Sequence, residues 1–142
     1  LLDAVQDPGN VGTMIRSADA AGFQGVFLGK GTVDLYNAKT LRSAQGSHFH
    51  IDIYEGELKD FIPAFKEEGY PVFGTALNKE AVSYKEIFVD TPFSLVVGNE
   101  GSGMNNEIVS MIDQNIFIPM IGQAESLNVA IAASILMFHF IQ

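Results

Sequence analysis

The sequence has 142 residues, a net charge of −9, 47% hydrophobic side chains and 18% charged ones. The length fits one domain, and the composition excludes an intrinsically disordered chain. A chain of this size buries about two thirds of its unfolded surface, so it needs no disulfide or metal staple. Cysteine is absent, which excludes thiolate metal sites, iron–sulfur clusters and thiol nucleophiles within it. That usage suits a reducing compartment, and the cytoplasm is the expected location. The acidic balance argues against coating nucleic acid through bulk charge, although it leaves room for a local basic patch. The chain opens Leu1-Leu2-Asp3-Ala4-Val5 without an initiator Met or any signal-peptide pattern, as a fragment of a longer chain would.

The elements alternate. Leu1–Val5 reads as a short strand. Val11, Met14, Ile15, Ala18 and Ala21 then recur at helical spacing until Gly22, with Asn10 as the expected N-cap. Val26–Leu28 reads as a strand, and Ala38, Leu41 and Ala44 as a short helix after Asn37. Phe49, Ile51 and Ile53 alternate with His48, His50 and Asp52 as a half-buried strand would. Leu58, Phe61, Ile62 and Phe65 form an i, i+3, i+4, i+7 helix. Pro71–Ala76 and Ser94–Gly98 read as strands, and Asn78–Pro92 reads as a loop. A helix follows around Ile108, Met111 and Ile112, then a strand over Asn115–Ile118. The last helix starts near Ser126, its expected N-cap. It falls short of the ~18–20 uninterrupted apolar residues of a membrane span, and being apolar nearly all round it suits a core or a subunit interface. Six strands alternating with helices predict an α/β domain with a mostly parallel six-stranded sheet.

Ligands in such sheets sit beyond the carboxyl ends of the strands. Three loops there have unusual composition: Gln6–Asn10, Gly98–Met104 and Met120–Asn128. On the helix that follows the first, Arg16 lies off the apolar stripe, as a solvated partner of Asp19 or as a fixed cation over a site. The second is glycine-rich, ordered G-x-x-G-x-G, so it is neither the dinucleotide fingerprint nor a P-loop. It is either a tight turn or a ligand wrap, and Glu100 within it disfavours a phosphate and favours a cationic or hydroxyl-rich ligand. In the third, Asn128 is an amide in the first turn of an apolar helix and must find partners. The ridge Val129, Ala132, Ala133, Leu136 reads as packing.

Together the segments resemble the SpoU/TrmH family of RNA ribose 2′-O-methyltransferases, in the SPOUT class. Asp7-Pro8-Gly9-Asn10 through Arg16 to Gly22 resembles the family's first motif. Val97 through Met104 resembles the second, and Ile118-Pro119-Met120 with Ser126-Leu127-Asn128-Val129-Ala130 the third. The resemblance implies S-adenosylmethionine as methyl donor, a C-terminal trefoil knot, a homodimer and an rRNA or tRNA substrate. It implies no metal and no membrane attachment. Residues 1–142 would form the catalytic domain, with an N-terminal RNA-recruiting domain outside this sequence. By the same carry-over, Asn10 and Arg16 are the catalytic pair, and Glu100, Ser126 and Asn128 occupy the other polar site positions. Gly98, Ile118 and Leu127 match the backbone positions that contact the cofactor, and Gly101 and Met120 belong with them.

The chemistry needs two reactants held in line and a developing alkoxide stabilised. A guanidinium keeps its proton in proteins, so Arg16 suits electrostatic stabilisation better than general-base duty. Lys30, Lys39 and Arg42, with His48 and His50, form a modest basic patch or a scatter of solvated charges. Two other classes stand beside the enzyme reading. One is a non-catalytic RNA-binding or assembly module that kept the fold, which the intact set of five polar residues disfavours. The other is an unrelated nucleotide-binding α/β domain, which the missing phosphate motifs disfavour.

Overall fold

Asp7 and Pro8 decide where the first helix begins. The Asp7 side chain accepts from the Asn10 backbone N–H at 2.8 Å and Pro8 takes the first helical position, so α1 spans Pro8–Ala20. The helix therefore starts ahead of the expected Asn10 cap, and Asn10 lies inside its first turn with its side chain free for other partners. The computed structural model describes residues 1–141; Gln142, the end of the apolar C-terminal stretch, lies outside the described residues. The other elements are β1 (Gly25–Gly29), α2 (Ala38–Ala44), β2 (Asp52–Gly56), α3 (Leu58–Glu67) and β3 (Val72–Gly74). They are followed by β4 (Val82–Ser83), β5 (Ser94–Val96), α4 (Asn106–Val109), β6 (Gln114–Phe117) and α5 (Val129–Phe140).

The strand pairs are all parallel, but the expected single six-stranded sheet is instead a two-stranded sheet, β1-β2, and a four-stranded one, β4-β6-β3-β5. Leu2 joins them. Its N–H donates to Phe27 O at 2.9 Å and its carbonyl accepts from Gly29, while Asp3 N–H donates to Val97 O at 2.8 Å. The predicted strand Leu1–Val5 is reduced to this bridge because Ala4 has a left-handed backbone, φ +55°, which ends the extended run. Val82–Ser83, in a region read as loop, pairs with β6 instead.

The predicted strand over 49–53 is displaced. Gln45 and Gly46 are both left-handed (φ +54° and +83°) and turn the chain into a 3₁₀ turn over Ser47–Phe49, so pairing starts only at Asp52. His48 and His50 therefore share no strand face.

The core lies between α1, α5 and the sheets, with Met14, Ile15 and Val11 of α1 and Leu136 of α5 fully enclosed. The two helices are tied by Ser17 Oγ and Ser134 Oγ, 2.7 Å apart. One face of α5 is buried, whereas Ile131, Ile135 and Phe138 form an exposed apolar stripe on the other. No helix among the described residues is long and apolar enough to cross a membrane.

α2 lies so close to α1 that a Cβ on Gly12 would sit 2.4 Å from Thr40 O and 2.8 Å from Ala44 N. Helix propensity alone favours alanine over glycine by about 1 kcal/mol, but here the obstacles are backbone atoms of a packed helix. Gly12→Ala is expected to destabilise by about 1–3 kcal/mol, read as a lower urea midpoint at unchanged m-value.

Candidate active site

A cleft of about 1020 Å³ opens beyond the carboxyl ends of β3, β5 and β6. Its walls are the segments after those strands: Thr75–Asn78, Gly98–Met104 and Ile118–Val129. Of the residues singled out in the sequence, Asn10, Gly98, Glu100, Gly101, Ile118, Met120, Ser126, Leu127 and Asn128 all line it. Arg16 does not. It is exposed on α1, six residues beyond Asn10 or about 9 Å along the helix axis. Asp19, its possible partner by spacing, lies instead 3.5 Å from His50 Nδ1.

Three of the polar residues form a chain of side-chain hydrogen bonds. Asn10 Nδ2 donates to Glu100 Oε1 at 3.3 Å, and Asn128 Nδ2 donates to Asn10 Oδ1 at 3.0 Å. Asn128 Oδ1 then accepts from Ala130 and Ile131 N–H at 2.8 and 3.2 Å. Asn128, not Ser126, is thus the N-cap of α5, which leaves Ser126, in the cleft lining, without a capping duty. This is how the amide at that position finds its partners.

The Glu100 carboxylate folds back on the start of α1, accepting from Asp7 N–H at 2.9 Å and Gln6 N–H at 3.2 Å. Burial pushes its pKa up. The backbone N–H groups of Asp7, Glu100 itself and Gln6, with the Asn10 amide, outweigh that and hold it below the ordinary 4.5. Glu100 is therefore an anionic clamp between two loops.

The glycine loop is shaped by a residue the sequence reading passed over. Asn99 Oδ1 accepts from Gly101 and Ser102 N–H at 2.8 and 3.0 Å, and its Nδ2 donates to Ala4 O at 2.7 Å. Its backbone exchanges two 3.0 Å bonds with Gly103, whose φ is +72°. The turn Asn99-Glu100-Gly101 is an Asx-type signal that was available in the sequence. Gly98 has no room for a side chain: a Cβ there would lie 2.5 Å from Met104 N. A second overlooked residue, buried Asn115, accepts from Ala76 N–H at 3.2 Å and fixes the Thr75–Asn78 wall. Val129, Ala132 and Leu136 of the predicted packing ridge also face the cleft, so that ridge is partly a ligand wall.

Electrostatically the cleft is one-sided. Among the described residues its lining holds two carboxylates, Glu100 and Glu125, and no Lys, Arg or His. It can favour a cation or a hydroxyl-rich neutral ligand and, unaided, disfavours a phosphate. No group of three or more metal-ligating side chains occurs among the described residues.

Comparison with known proteins agrees with this geometry. The family model described as SpoU rRNA Methylase matches residues 1–138. The chain is 55% identical over 139 residues to the 23S rRNA (guanosine(2553)-2′-O)-methyltransferase RlmP of Bacillus subtilis, covering 98% of this chain and 56% of that protein. It superposes on the AdoMet-bound rRNA methyltransferase of Sinorhizobium meliloti with a TM-score of 0.90 at 40% identity, over 96% of this chain and 52% of the other. It superposes on the SpoU methyltransferase AviRb of Streptomyces viridochromogenes, in complex with AdoMet, with a TM-score of 0.89 at 32% identity, over 99% and 58%. The chain thus spans about half the length of the relatives it matches.

Glu100→Gln removes the charge and sets an amide NH₂ against one of the N–H donors that the two carboxylate oxygens accept from. A carboxylate with a depressed folded pKa stabilises the protein above the ordinary glutamate range, and that contribution fades as the pH falls through the depressed value. The Gln variant is therefore expected to be less stable than the parent at neutral pH, with the gap between their urea midpoints closing on acidification below pH 4.5.

Proposed function

The chain belongs to the SpoU rRNA methylase family, and on that premise we propose that residues 1–142 form the catalytic domain of an S-adenosylmethionine-dependent methyltransferase. The reaction is methyl transfer to a ribose 2′-hydroxyl of ribosomal RNA. The observation that carries this reading is the Glu100–Asn10–Asn128 hydrogen-bond chain at the edge of a cleft that, among the described residues, is lined by no Lys, Arg or His.

The cleft suits the cofactor. It is roomy, its walls offer apolar surface and loop backbone, and its carboxylates complement a sulfonium. Gly98, Gly101, Ile118, Met120 and Leu127 would hold the group through those walls. When bound, S-adenosylmethionine supplies an electrophilic methyl carbon.

This chain's residues then have three tasks. Asn10 and Asn128, fixed by Glu100 and by the α5 cap, present an ordered amide edge to the ribose. Ser126 has a hydroxyl free to hydrogen-bond at the reacting oxygen. Arg16 supplies the positive charge that a developing alkoxide and the adjacent phosphate need. The last task requires a second copy of the chain, because Arg16 stands outside the cleft of its own protomer. The exposed apolar stripe Ile131, Ile135, Phe138 on α5, which packs on α1, supports a two-fold pairing through these helices. A trefoil knot at the C-terminal segment belongs to the same reading. It is supported by the family resemblance and is compatible with α5, which follows β6 in sequence, packing on α1 near the start of the chain. Action on ribosomal RNA would place the protein in the cytoplasm.

Arg16→Ala is expected to abolish methyl transfer to rRNA while leaving S-adenosylmethionine affinity intact, and Arg16→Lys to restore little, because the planar fork is lost. Co-expressed Arg16→Ala and Gly98→Val subunits should recover activity that neither shows alone. Failure of that complementation would remove the shared site, and near-parental turnover by Arg16→Ala would remove the role of Arg16.

A further inference from the structure

Phe49 is 81% exposed, an unusual position for a phenyl ring, and the backbone that projects it is firmly built. Gln45 and Gly46 turn left-handed beneath it, and Gln45 Nε2 donates to Arg42 O at 2.9 Å. Phe49 N–H bonds Gly46 O at 3.0 Å and His50 N–H bonds Ser47 O at 2.9 Å. The His48 ring lies against the phenyl, with centroids 4.1 Å apart. Beyond it, His50 anchors the turn to Asp19 of α1.

The segment that leads into the turn is cationic in an acidic protein, and the carboxylates that flank the turn are Asp19, held against His50, and exposed Asp52. No Asp or Glu occurs from Leu35 to Ile51, while Lys39 and Arg42 lead into the turn along α2. Phe88, which is 86% exposed, stands by contrast between Glu86 and Asp90. The path of this strip relative to the cleft is also set. The Lys39 ammonium lies 3.9 Å from the Cβ position of Gly9, beside Asn10; Ser43 and Ala44 cross α1 at Gly12; His50 meets Asp19. α2 and the turn thus follow α1 from the cleft edge for nine residues, about 14 Å at the helical rise.

We infer that Phe49 is a stacking platform for an unpaired base of the RNA substrate, near the methylated nucleotide, with Lys39 and Arg42 holding the phosphates between. This rests on the RNA reading given above. Single-stranded RNA is recognised by splaying bases onto aromatic rings, and such stacking tolerates any base because every base has a π-face. The cleft cannot hold phosphates by itself, so the strand must be held outside it, and this strip is the cationic ground that adjoins it. A second copy of the chain is the poorer occupant, since the exposed side chains near Phe49 in sequence, Arg42, Gln45, His50 and Asp52, are polar, whereas the exposed apolar stripe is on α5.

The test uses the full chain with rRNA fragments and measures RNA binding directly as well as methylation. Phe49→Ala is expected to weaken RNA binding and raise the RNA KM about ten-fold, with S-adenosylmethionine affinity and oligomer mass unchanged. Phe49→Trp should restore both. The dependence of log K on log salt should keep its slope in Phe49→Ala and lose about one unit in Arg42→Ala. Unchanged RNA affinity in Phe49→Ala, or a lower oligomer mass, would overturn the platform. A parent protein that binds RNA through Phe49 without methylating it would overturn the enzymatic reading and leave the platform standing.

Discussion

A carboxylate can only accept hydrogen bonds, and that one-way rule orients much of the site. Glu100 faces Asn10, so Asn10 must turn its amide nitrogen towards Glu100 and its oxygen away. Asn128 then has to meet that oxygen with its own nitrogen, and its remaining oxygen caps α5. One anion thereby fixes the rotamers of two amides and the start of a helix. The partners lie 90 and 118 residues apart in sequence, so the chain of bonds also ties the beginning, middle and end of the fold at one place. Because Glu100 takes two backbone N–H groups at the entry to α1 as well, the clamp is fully engaged within one protomer, and the amide edge is ordered before any ligand arrives.

Charge is divided with equal consistency. The cleft wall holds carboxylates and no cations among the described residues, while Arg16, Lys39 and Arg42 lie on the α1–α2 side. If, as proposed, the chain takes a sulfonium cofactor and a polyanionic substrate, the acidic cleft and the cationic α1–α2 side would receive them separately. On that proposal assembly would matter, since a guanidinium outside its own cleft would act at a reacting centre only if a neighbour presented it.

Much of this was legible in the sequence because it rests on local rules. Gly22 and Asn37 mark helix boundaries as glycine and asparagine usually do, and the spacing of Leu58, Phe61, Ile62 and Phe65 specifies α3. The readings that moved did so for nameable reasons. Asp7 outcompeted Asn10 as a cap because Pro8 follows it, and Asn128 outcompeted Ser126 because its amide has a distant acceptor to satisfy. Ala4, Gln45 and Gly46 broke two alternating patterns with left-handed backbone, which periodicity cannot register. Asn99 carried a readable turn signal, whereas Asn115 did not, since its partner Ala76 comes from another strand's end.

The sequence by itself determined most element types, the three segments that meet and four polar residues of the cleft, Asn10, Glu100, Ser126 and Asn128, because helix caps, glycine turns and apolar spacing act over a few residues. Only the tertiary structure decided that Asn10, Glu100 and Asn128 are one bonded unit, that the cleft wall holds no cation among the described residues, and that Arg16 lies outside that wall. Those facts depend on directions in space between segments some ninety residues or more apart, and a linear order of side chains contains no such directions.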